Sequence, residues 1–156
     1  MLKVGEMAKD FELYDMDLKV RSLKEFKDKN VVLAFYPGAF TSVCQKEMCT
    51  FRDSLANLGK LNAQIVGVSV DGPFANKAFA QQNMLKFPLL CDFERKVSKA
   101  YGGIHENFAG MKGYSVSKRS VFVIDKNGKI AYIWISEDPG KEPDYAEIEK
   151  VLSTLR

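Results

Sequence analysis

The sequence carries no strong excess of either charge: 23 basic and 20 acidic residues leave a formal +3, spread along all 156 residues. With no basic arm or stripe there is no electrostatic footprint for nucleic acid, and a small substrate is expected instead. No apolar run approaches the roughly 20 residues of a membrane span, and Met1-Leu2-Lys3-Val4-Gly5-Glu6 does not open the roughly 7–15-residue apolar stretch of a secretory signal. A soluble, cytoplasmic chain with no membrane partner is the resulting expectation. Repeats and low-complexity tracts are missing as well, so residues 1–156, 46% of them hydrophobic, are expected to form one domain with a core large enough to be stable alone. Histidine occurs once, as His105, and cysteine three times, an odd count in a chain that needs no stapling. Cytosolic disulfides are usually transient or catalytic, so thiol chemistry is the first possibility to test.

A zinc site built from Cys44, Cys49, Cys91 and His105 has the ligand count. Its Cys-x-x-x-x-Cys spacing falls within a helix, however, and His105 stands alone in a loop, so neither a metal nor a cofactor is expected. The Cys-x-x-Cys pair of a disulfide oxidoreductase is absent too, because Lys46-Glu47 follow where Cys44 would need its partner.

What is present reads as alternating strands and helices. Val31-Val32-Leu33-Ala34-Phe35-Tyr36 is continuously apolar and β-prone, as for a strand buried on both faces, and Pro37-Gly38 stops it. Ser42 with Gln45 resembles a capping box, and Met48, Phe51, Leu55 and Leu58 recur at helical spacing, which predicts a helix from about Ser42 to Leu58. Ile65 to Val70 is a second buried strand. Pro73 to Gln82 reads as a helix with Phe74, Ala78 and Phe79 inward. Strand, helix, strand, helix implies a parallel pair with a right-handed crossover. Val121–Ile124 and Ile130–Ile135 flank Asn127-Gly128, a hairpin signal that adds two antiparallel strands. Asp144 to Leu155 is a terminal helix, and Gly102 to Lys118 has no clear period and reads as a surface loop. This order predicts an α/β, thioredoxin-like fold with a mixed central sheet and helices on both faces.

The stretch Tyr36-Pro37-Gly38-Ala39-Phe40-Thr41-Ser42-Val43-Cys44 places a cysteine in the first turn of a helix directly after a buried strand. Free N–H groups and the positive end of the helix dipole there favour the thiolate, the nucleophilic form of a group whose pKa is ordinarily about 8.5. Thr41 offers a hydroxyl on the same turn to orient an incoming oxygen. Each residue alone also has a blander reading: a buried small hydrophobe for Cys44 and an N-cap for Thr41.

Pro37, Thr41 and Cys44 match the spacing of the Pro-x-x-x-Thr-x-x-Cys signature, and the chain resembles the peroxiredoxin family. Val68-Ser69-Val70-Asp71, Pro73-Phe74, Phe87-Pro88-Leu89-Leu90 with Asp92, and Arg119 look like further landmarks in family order. The resemblance implies a thiol-dependent peroxidase in which Cys44 reduces a hydroperoxide, Thr41 and Pro37 shape the pocket, and Arg119 supplies a permanent fork of donors to thiolate and peroxide. Arg95 and Arg52 are the fallbacks, and Arg119 alone could be a surface charge. Glu47, one turn after Cys44, either holds Arg119 or is a solvated acid.

The spacing Cys44 to Cys49 is that of the Q-type peroxiredoxins (bacterioferritin comigratory proteins), which implies Cys49 as the resolving cysteine. Pro37-Gly38-Ala39-Phe40-Thr41 looks more like the five-type and one-cysteine E-type members, which lack it, and Cys91 is the reserve resolver. The electron donor implied is a thioredoxin-like or other dithiol protein, and the chain is a monomer or a homodimer, which exposure of Phe40 or Phe93 would favour. A non-catalytic redox-sensing or holdase role using the same thiol is the alternative.

Overall fold

The computed structural model describes residues 2 to 155, without the side chains of Leu55 and Ala56. Its first elements are a polar hairpin, β1 (Glu12–Asp15) and β2 (Val20–Ser22), which the sequence pattern does not announce. Asp15 builds the turn between them: its Oδ1 accepts the N–H groups of Asp17 and Lys19. Strands this short carry too few apolar residues to display a period.

The core strand is β3 (Asn30–Phe35), followed by α1 (Ser42–Asp53), α2 (Leu55–Lys60), β4 (Ala63–Ser69) and α3 (Pro73–Gln82). Then come β5 (Leu89–Cys91), α4 (Lys96–Ala100), β6 (Ile104–His105), β7 (Val116–Ser117), β8 (Ser120–Ile124), β9 (Ile130–Ile135) and α5 (Tyr145–Thr154). A seven-stranded sheet runs in the order β2-β1-β5-β4-β3-β8-β9. β3, β4 and β5 are parallel, and the flanking pairs are antiparallel. The segment expected to be a loop contains a small separate sheet, β6 with β7.

Alternation along β3 sorts the core into two layers. Val32, Ala34 and Tyr36 face a cluster with Cys44, Met48 and Phe51 of α1, Phe79 of α3, and Ile148 and Leu152 of α5. Val31, Leu33 and Phe35 face a second cluster with Phe11, Phe26, Tyr101 and Phe122, against which Val97 and Ala100 of α4 pack. Helices therefore cover both faces of a mixed sheet, the thioredoxin-like arrangement expected. Glycine is required at Gly67 on β4, where a Cβ would lie 2.6 Å from Leu89 Cδ2 and 3.6 Å from the sulfur of Met48. That gap makes room for the Leu89 side chain of β5.

Three local expectations need correction. The expected single helix breaks at Ser54, whose hydroxyl and N–H both bond to the Thr50 carbonyl, a back-bonding that bends helices. Thr41, not Ser42, is the N-cap of α1, and no side chain caps it, so the capping box of Ser42 and Gln45 does not form. On α3 the inward residues are Asn76, Phe79 and Ala80, while Phe74 is 79% exposed and Ala78 is exposed too. Asn76 is drawn inward by the Tyr36 hydroxyl, which donates to its Oδ1 at 2.7 Å.

Candidate active site

The site forms where β3 ends. The antiparallel register pairs Phe35 with Ser120, so Arg119 falls beside the exit of β3, where Pro37 begins the loop into α1. Pro37 and Gly38 are buried, and Phe40 takes a positive φ of 65°, a conformation a bulky side chain adopts only when its surroundings hold it there. Its ring packs edge-on to Phe79 of α3, 5.4 Å between centroids.

Cys44 lies in the first turn of α1 with no exposed surface. Arg119 Nη2 donates to its Sγ at 3.3 Å. Thr41 Oγ1 donates to the Gly38 carbonyl at 2.9 Å, and since a hydroxyl has one proton it serves one acceptor at a time. Burial pushes the Cys44 thiol up, against the downward pull of Arg119, Thr41 and Gly38, and leaves it above its ordinary value. The helix-start position alone led to the opposite expectation. The closed pocket withdraws water from the sulfur, and that desolvation is the largest influence on it.

Arg119 is itself buried. Its Nη1 donates to Glu47 Oε1 at 2.8 Å, and Nη2 and Nε donate to the Pro139 carbonyl at 2.8 and 3.3 Å. Glu47, at 0% exposure, is thus the partner of the arginine rather than a solvated acid. The Pro139 carbonyl is a contact of Arg119 that the sequence did not disclose, because a backbone oxygen has no residue signature. Arg95 bonds to the Ser115 and Phe93 carbonyls, and Arg52 to Asp53 and the Asn83 carbonyl, so these two arginines serve other parts of the fold.

The other Glu47 oxygen, Oε2, has no hydrogen-bond partner among the described residues. Burial raises this carboxyl from its ordinary 4.5 to about 7, against the pull of Arg119. The folded protein therefore holds the Glu47 proton more tightly than the unfolded chain does. Stability tied to that proton is complete below about pH 4.5 and is lost as the pH rises through about 7. Glu47→Gln keeps an oxygen for Arg119 but does not titrate, and it is expected to flatten this decline. Thermal unfolding followed from acid to mildly alkaline pH in both proteins checks it, and parallel curves would refute the assignment.

All three cysteines are free thiols. Cys49 is half-buried on α1, and Cys91 is buried on β5, where Asn76 Nδ2 approaches its sulfur at 3.5 Å. His105 stacks on Phe108, away from them, and among the described residues no group of three or more His, Cys, Asp or Glu side chains could hold a metal ion. No helix among the described residues is long and apolar enough to cross a membrane.

A buried sulfur facing a guanidinium, at the first turn of a helix on a thioredoxin-like sheet, is an arrangement suited to thiol redox chemistry. Residues 4–133 match the model of the AhpC/TSA family. The chain is 38% identical over 152 residues to a chloroplastic peroxiredoxin Q of Populus jackii and 40% identical over 151 residues to that of Triticum aestivum. Each match covers 97% of this chain and 68% or 67% of the relative. Among solved structures, peroxidoxin BcpB from Mycobacterium tuberculosis superposes with a TM-score of 0.83 at 34% identity, covering 99% of this chain and 97% of the other. The chain belongs to the AhpC/TSA family of peroxiredoxins, and its activity is the thiol-dependent reduction of peroxides.

Proposed function

We propose that Cys44 is the peroxidatic cysteine, with Thr41, Pro37 and Arg119 forming its pocket, and that Cys49 resolves the oxidised thiol. The contact that supports this reading best is the one from Arg119 Nη2 to Cys44 Sγ, 3.3 Å long, in a pocket without exposed sulfur. Sulfur attacks the terminal peroxide oxygen, the oxygen–oxygen bond breaks, and the leaving oxygen takes the thiol proton to depart as water or alcohol. Cys44 is left as a sulfenic acid. Arg119 and the Thr41 hydroxyl donate to the two peroxide oxygens as charge moves onto the leaving one. Pro37, lacking an N–H and fixed in φ, keeps water from the sulfur.

Cys49 then attacks the Cys44 sulfur, an S–S bond forms as the S–O bond breaks, and the oxygen leaves as water. A thioredoxin-like dithiol protein returns both cysteines to thiols and is oxidised to its own disulfide. Three free thiols suit a reducing compartment such as the cytoplasm. Five residues of helix separate the two Cα atoms by roughly 8–9 Å, beyond the about 7 Å a disulfide tolerates, so the start of α1 unwinds in each cycle.

Cys49→Ser is expected to react once with peroxide at the native rate, to lose turnover with a dithiol donor, and to accumulate sulfinic acid at Cys44 faster than the native protein. Mass spectrometry of the peroxide-treated native protein provides the direct check. A Cys44–Cys49 linkage is the expected product, and Cys44 joined to Cys91, or only to small thiols, would sink the scheme.

A further inference from the structure

The unwinding step makes the contacts of Cys49 in the folded state matter, and these contacts converge on one residue of α3. Asn83, the C-cap of α3, is 5% exposed. Its Oδ1 accepts the Cys49 thiol at 3.5 Å, its Nδ2 donates to the Phe79 carbonyl at 2.9 Å, and its own carbonyl accepts Arg52 Nη1 at 2.7 Å. Cys49 and Arg52 sit three residues apart on the same face of α1, so a single buried residue ties two successive positions of that helix to α3.

The geometry points to Asn83, with Arg52, as a clamp that positions Cys49 away from Cys44 and sets how fast the disulfide forms. This inference rests on the reading of Cys49 as the resolving cysteine. Before Cys49 can reach Cys44, its sulfur must leave Asn83 Oδ1. The Arg52 bond to the Asn83 carbonyl anchors the following turn and limits how far α1 can fray. The lifetime of the sulfenic acid, and with it the chance that a second peroxide carries Cys44 on to sulfinic acid, is set at this contact rather than in the peroxide pocket. Neither residue touches Cys44, Thr41 or Arg119 through any hydrogen bond among the described residues.

Rapid-quench mass spectrometry on the full chain tests the clamp by timing sulfenic acid, Cys44–Cys49 disulfide and sulfinic acid after mixing the reduced protein with hydrogen peroxide. Asn83→Ala and Arg52→Met should each speed disulfide formation about two- to tenfold, the range for loss of one hydrogen bond. Sulfinic acid should fall in proportion, while the rate of sulfenic acid formation stays native. Asn83→Asp retains an acceptor for the thiol but loses the bond to Phe79, so it should resolve no faster than the native protein, whereas a merely structural role for Asn83 would make it behave as Asn83→Ala does. Native disulfide timing in both Asn83→Ala and Arg52→Met, or faster timing in Asn83→Asp, overturns the clamp while the resolving role of Cys49 stands. Absence of a Cys44–Cys49 linkage in the native protein overturns the resolving role itself, and the clamp with it.

Discussion

Cys44→Ser is expected to lose peroxide reduction down to the uncatalysed background while the fold survives. Serine is nearly isosteric with cysteine, and its hydroxyl can still accept from Arg119, so the buried pocket loses no partner. What disappears is the nucleophile. A thiol gives up its proton far more readily than a hydroxyl, and serine oxygen cannot hold the transferred oxygen as a sulfenic acid. Stopped-flow consumption of hydrogen peroxide by the pre-reduced variant measures the loss, with circular dichroism as the control for folding. Consumption at the native rate would remove Cys44 from the mechanism.

Arg119→Lys is expected to slow the peroxide step by about a hundredfold to a thousandfold, the usual effect of removing one donor aimed at transition-state charge. The substitution keeps the charge and loses the fork. In the native protein one guanidinium reaches Cys44 Sγ, Glu47 Oε1 and the Pro139 carbonyl at once, through three nitrogens in one plane. An ammonium at the end of a flexible stem cannot span these three directions, and whichever contact it abandons leaves a buried group unpaired. Single-turnover kinetics against peroxide concentration give the rate, and near-native values would mean that Arg119 serves only to hold the fold.

Local patterns carried much of this architecture. The unbroken apolar run at 31–36 could only be a strand covered on both faces, and it lies at the centre of the sheet as β3. Pro73 and Gln82 bound α3 as the sequence suggested, and Asn127-Gly128 turns between β8 and β9. Failures came where the period was weak or a side chain competed with the backbone. β1 and β2 are too short and polar to show alternation, and the Ser54 hydroxyl breaks the helix from within. Hydrophobicity alone places Phe74 inward, yet the buried position on that face belongs to Asn76, a polar residue that accepts from Tyr36 forty positions away.

The sequence by itself determined that this is an α/β chain with a cysteine at the start of a helix after a buried strand, and the resemblance of Pro37, Thr41 and Cys44 to the peroxiredoxin signature implied peroxide chemistry. These features are local, written in residues within one turn or one strand of each other, where the periods of 2 and 3.6 apply. Only the tertiary structure decided what surrounds the sulfur. Arg119 is 75 positions from Cys44 and 72 from Glu47, and the three meet because β3 pairs with β8 in the register Phe35 to Ser120. The same pairing buried Glu47, raised its proton affinity, and closed the pocket so that desolvation raises the Cys44 thiol as well. Burial depends on everything packed around a group at once, so no pattern of neighbours along the chain could have foretold it.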